Sequence, residues 1–156
     1  GKEGGMNLLT PDIRQALRAN ACRSAASRAR RETCDPRCET RDSLRPAVKF
    51  FNPLGAATWL ATELYEDGDT LFGLADLGFG CPEMGVFSLM EIEGIRLPYG
   101  MRIERDEGFC SPHSLSRWAS TARHAGSIIH AEQLLRHAVF DAAFDLPTDP
   151  FQGTAG

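Results

Sequence analysis

Two runs rich in strand-forming residues, Thr58 to Leu64 and Thr70 to Leu77, flank the segment Glu66-Asp67-Gly68-Asp69. Asp-Gly between apolar runs is among the strongest local signals for a tight turn, because glycine accepts the positive φ that such turns require. The two runs therefore form an antiparallel hairpin, which commits the chain to a sheet. With the turn centred on Asp67 and Gly68, Glu63 falls opposite Phe72 and Trp59 opposite Asp76. Period-two alternation then places Trp59, Ala61, Glu63, Phe72, Leu74 and Asp76 on one face, and Leu60, Thr62, Leu64, Leu71, Gly73 and Ala75 on the other. Neither face is cleanly polar. Such a sheet is either covered on both sides or uses one face for binding.

Helical signals surround this hairpin. Thr10-Pro11 is a helix start, with a hydroxyl to cap free N–H groups and a proline at the first helical position. Ile13, Ala16 and Leu17 share a face of that helix, which is expected to end near Asn20. From Ala21 to Arg45 the apolar period dissolves into Ala, Ser and Arg, and a mobile Arg-rich insertion is expected there. Ala47 to Phe51 reads as a strand closed by Asn52-Pro53, and Met101 to Arg105 as another. The loop from Gly78 to Gly85 changes the chain's direction before Val86 and Phe87. Ser88-Leu89-Met90-Glu91 has capping-box spacing, with Phe87 and Ile92 placed as a hydrophobic staple for a short helix that Gly94 stops. Ser114 caps a helix carrying Leu115, Trp118, Ala119 and Ala122 on one face, ended by Gly126. A last amphipathic stretch covers Ile128 to Phe144. The expectation is an α+β fold, a small antiparallel sheet with helices packed against it, in one domain spanning residues 6–146. Residues 1–5 precede Met6, which reads as a natural start, and 147–156 read as a tail.

With 156 residues, 42% of them hydrophobic, the chain suits one domain with a modest core. No run reaches the length needed to cross a bilayer, so no membrane partner is expected, and the cytoplasm is the simplest compartment. Five cysteines at positions 22, 34, 38, 81 and 110 lack framework spacing, which argues against a disulfide scaffold. Charge is unevenly spread. Residues 1–45 carry ten Lys/Arg against six Asp/Glu, whereas residues 46–109 carry four against eleven. An acidic body argues against broad phosphate-backbone binding by the folded part.

The segments Lys49-Phe50-Phe51-Asn52-Pro53, Thr58-Trp59-Leu60, Phe72 to Gly78, Pro82-Glu83-Met84-Gly85 and Glu104-Arg105-Asp106, with the opening from Asn7 to Asn20, carry a resemblance. Together they resemble the bacterial domain of unknown function 2958 family, over about Asn7 to Gly126. The resemblance implies a small cytoplasmic protein of the kind often carried on plasmids and other mobile elements. It implies no catalytic residue. Residues 21–45, rich in arginine and cysteine, and residues after about Ile129 depart from the family pattern.

Chemistry-bearing residues then separate three readings. Trp59, Glu63 and Asp76 on one hairpin face, with Glu83 in the following loop and Arg105 and Asp106 further on, form the candidate binding set. The leading expectation is a non-enzymatic accessory protein of mobile DNA that meets a basic protein partner through this acidic surface. A nucleic-acid binder using Arg28, Arg30 and Arg31 is the first alternative, weakened by interspersed acids and missing aromatics. The second is a hydrolase-like or metal-dependent enzyme using Glu63, Asp76 and Glu83, which requires those carboxylates to converge. Cys34, Cys38, Cys110 and His113 give only loose zinc spacing, and neither Cys81 nor Cys110 has an evident base. No catalytic residue, metal or cofactor is therefore assigned, and oligomeric state is left open.

Overall fold

A computed structural model describes residues 8–32 and 43–144, with side chains for residues 8–29 and 43–137. In chain order the elements are α1 (Pro11–Glu32), β1 (Val48–Phe51), β2 (Thr58–Leu64), β3 (Thr70–Asp76), β4 (Glu83–Ser88), α2 (Leu89–Glu93), β5 (Glu104–Arg105), α3 (Leu115–Ala125) and α4 (Ile128–Phe144). The strands form one antiparallel sheet of order β4-β3-β2-β1-β5. The fold is thus α+β, as the sequence pattern requires.

Period-two alternation divides the core between the two faces of the sheet. Val48, Phe50, Trp59, Ala61 and Leu71 pack with Leu17 of α1 and with Leu89 and Ile92 of α2. Leu60 and Leu74 pack with Leu115, Trp118 and Ala122 of α3 and with Ile128, Ala131 and Leu135 of α4. The capping signals are realised. Thr10 Oγ1 accepts from Ile13 N–H, Ser88 from Glu91 N–H and Ser114 from Arg117 N–H, while Gly126 ends α3 at φ 88°.

Two expectations require correction. First, Trp59 lies opposite Ala75 and Thr58 opposite Asp76, although Glu63 does face Phe72 as expected. A bulge between Ala61 and Glu63 puts one extra residue in β2, which reverses every side chain before it relative to those after it. Trp59 and Ala61 consequently join the α1 and α2 side, while Leu60 faces α3 and α4. Second, the N-terminal helix continues twelve residues beyond Asn20, so the Ala21 to Glu32 part of the expected insertion is helical. The remainder, 33–42, lies outside the described residues.

The reason α1 hid from its sequence lies in how it packs. β1 pairs with β2 only as far as Val48 opposite Ala61, which leaves the carbonyls of Thr62 and Leu64 without a strand partner on that side. Asn20 Nδ2 donates to Thr62 O at 2.9 Å, and Arg18 Nη1 donates to Leu64 O at 2.7 Å. One turn further on, Ser24 Oγ donates to Glu63 Oε2 at 2.7 Å, with Ser24 and Ser27 both buried. A helix that meets a strand edge through polar side chains needs no apolar stripe, and its alanines and arginines favour helix by propensity alone.

Candidate functional site

The structure separates the carboxylates expected to act together. Glu63 and Asp76 are both buried and lie toward opposite ends of the β2–β3 pair, about 13 Å apart by strand rise. Glu63 is engaged by Ser24 of α1. Asp76 Oδ2 accepts the first N–H of α4, from Ile128, at 2.9 Å, and Oδ1 accepts from Gly78 N–H at 2.9 Å. A carboxylate at a helix N-terminus meets the positive end of the dipole and satisfies an otherwise orphan donor. Both groups tie helices to the sheet, and they do not converge on a common reaction centre.

The remaining predicted residues occupy three other places. Arg105 Nη1 donates to Leu8 O at 2.8 Å, which docks the segment before α1. Asp106 lies 3.6 Å from Lys49 Nζ, whose nearer partner is Glu132 Oε1 at 2.6 Å. Asp106 and Glu132 line a concavity of about 330 Å³, where Cys110 and His113 sit beside the Phe109 and Trp118 rings. Arg28 lines a smaller hollow together with Glu63 and Glu66. Arg30 and Arg31 belong to α1, but their side chains lie outside the described residues, as do Cys34 and Cys38 altogether. Among the described residues no three His, Cys, Asp or Glu side chains cluster as a metal would require.

Trp59 and Glu83 do meet, in a groove of about 440 Å³ between β4 and α2. Its floor is low because the strands put small residues there: Ala75 on β3 and Gly85 on β4. A Cβ added at Gly85 would meet nothing within 4 Å. Trp59 lies beneath, and Phe87, Ile92 and Ile95 form the apolar sides. The α2 wall is fixed by Asp69 of the hairpin turn. Its Oδ2 accepts from Ser88 Oγ at 2.7 Å, its Oδ1 accepts from Met90 N–H at 2.7 Å, and its carbonyl accepts from Leu89 N–H at 2.9 Å. One turn residue thus anchors the first turn of α2.

The surroundings of the groove are apolar and acidic. Leu77, 56% exposed, lies along it, while Val86, 59% exposed, pairs with Phe72 and so turns its side chain to the opposite face of the sheet. Glu83 and Glu91 are its charged lining residues, and among the described residues no Lys, Arg or His lines it. The sequence singled out Trp59 as an aromatic of the hairpin, though on the other face, and Glu83 as a carboxylate in the loop that follows. What alternation missed was β4 itself, because Glu-Met-Gly-Val-Phe-Ser lacks a clean alternation and follows a loop rich in glycine and proline.

Comparison with known proteins places the chain in a class without an assigned activity. The model for a family described only as proteins of unknown function, DUF2958, matches residues 8–129, and the chain belongs to that family. The match takes in the whole sheet, α1 to α3 and the groove, and it ends at the start of α4. No curated protein and no solved structure matches the chain. Among the described residues, no helix is long and apolar enough to cross a membrane.

Proposed function

We propose that this protein is a non-enzymatic, cytoplasmic accessory factor of mobile DNA that docks a cationic protein segment in the groove between β4 and α2. The observation that carries this reading is the match of shape and charge in one place. A trough floored by Gly85 and Ala75 and walled by Phe87, Ile92 and Ile95 accepts an apolar side chain, and among the described residues its charged lining is purely acidic. A partner bearing an apolar residue flanked by Lys or Arg complements each of these properties. The wider body agrees in sign, with eleven acidic and four basic residues between positions 46 and 109. Three free, exposed thiols at Cys22, Cys81 and Cys110 suit a reducing compartment.

A library of random peptides displayed on phage and selected against the protein tests this. Enriched peptides carry Lys or Arg around a central apolar residue, bind more weakly as salt rises, and lose binding to both Gly85→Leu, which fills the trough, and the double variant Glu83→Lys/Glu91→Lys. Circular dichroism confirms that each variant folds. A selection that enriches nothing, or peptides indifferent to both variants, overturns the reading.

A further inference from the structure

We infer that the partner segment binds as an added β-strand, pairing its main chain with β4 while one of its apolar side chains enters the groove; this rests on the groove reading above. The sheet has two edges. β5 offers only Glu104 and Arg105, whereas β4 runs six residues in unbroken register with β3 from Ala75 opposite Glu83 to Thr70 opposite Ser88.

Hydrogen-bond alternation fixes which groups of β4 are open. Tyr65 N–H donates to Thr70 O at 2.8 Å, so the main chain of Thr70 points toward β2, and with it those of Phe72 and Leu74. Leu71, Gly73 and Ala75 then point toward β4 and engage Phe87, Gly85 and Glu83. The N–H and C=O groups of Met84 and Val86 are therefore turned outward, away from the sheet. An unpaired edge of this kind is a template for another strand unless something blunts it. β4 has neither lysine nor proline within it, and its pairing with β3 contains no bulge.

The treatment of the interrupted edge of β2 sharpens the contrast. There the fold supplies Arg18 and Asn20 to the open carbonyls of Leu64 and Thr62. Among the described residues, no side chain does the same for Met84 or Val86. Strand addition also explains why the groove lies directly beside the edge. Alternate side chains of an added strand fall on the Gly85 side, where one enters the trough and the next along lies near Glu83. The recognised pattern is a basic residue two positions from an apolar one, in a segment of about five residues.

The test uses the tightest Gly85-sensitive library peptide and two analogues, N-methylated at one or the other set of alternate residues. Methylating the set that faces β4 removes its donors and weakens binding about tenfold or more, while the other set changes it less than about twofold. In the complex, the amide hydrogens of Met84 and Val86 become slow to exchange. If both analogues bind alike and those amides exchange as before, strand addition is overturned while the groove reading survives. If no Gly85-sensitive peptide exists, both fall. A self-assembled dimer that pairs through β4 and excludes the peptide also overturns the assignment, in favour of a second copy on this edge.

Discussion

Asp67 holds the β2–β3 turn with one carboxylate. Its Oδ1 accepts the N–H groups of Asp69 and Thr70, at 2.9 and 2.8 Å, and its Oδ2 accepts the Thr70 hydroxyl at 2.6 Å, while Gly68 supplies φ 74°. The Thr70 hydroxyl bond, followed by the backbone donors, holds this carboxyl below its ordinary value of 3.8. The sign of the pH dependence follows directly. A depressed folded-state pKa adds stability above the ordinary aspartate range and loses it as pH falls through the folded value. Asp67→Asn is accordingly less stable than the parent near neutrality, by a margin that closes on acidification. Thermal midpoints of both proteins measured from neutral to strongly acidic pH check this, and a margin that stays constant counts against the turn's ionic hydrogen bonds.

At the scale of elements, the Gly73–Gly85 pair across β3 and β4 shows how one bulge constrains a sheet. Opposite the bulge in β2, a Cβ on Gly73 would lie 1.8 Å from Leu60 O, a backbone clash that no side-chain rotation relieves. Across the strand, Gly85 faces the open trough. Two chemically identical substitutions therefore have opposite outcomes. Gly73→Ala costs about 3 kcal/mol or more, since the strands must part. Gly85→Ala adds about 0.5–1 kcal/mol, by restricting the unfolded chain without meeting a neighbour. Urea unfolding of both variants decides the matter, and equal effects would place the bulge elsewhere. The same bulge explains what the sequence could show of the site. Alternation identified the hairpin, the Glu63–Phe72 pair and the caps of α2 and α3, because those signals are local. The face of Trp59 was hidden, since a single inserted residue at Thr62 leaves no mark in composition or period. The length of α1 was hidden too, because Ser24, Asn20 and Arg18 bind an edge whose exposure depends on how far β1 reaches.

For the whole molecule, the decisive property is that both cores are built on the same strands. Trp59 and Leu60 are adjacent in β2, yet one belongs to the α1 and α2 side and the other to the α3 and α4 side. Neither layer can come apart without exposing the other's half of β2 and β3, and this couples the layers into a single cooperative unit. Cross-links between the sheet and α4 add to this. Asp76 of β3 caps α4, and Lys49 of β1 reaches Glu132 of α4. The chain's two tryptophans report on the two layers separately, Trp59 on one side and Trp118 on the other. Trp118→Phe leaves fluorescence from the groove side alone, and Trp59→Phe leaves it from the α3 and α4 side alone. In each variant the fluorescence transition in urea coincides with the far-ultraviolet circular dichroism transition of the same protein. Leu135→Ala, which removes a buried side chain from the α4 side, lowers the Trp59-monitored midpoint as well, through a loss of about 2–4 kcal/mol shared by the whole molecule. A Trp59 signal that ignores Leu135→Ala would mean that the groove face unfolds on its own, and that a strand docked on β4 stabilises only half of the protein.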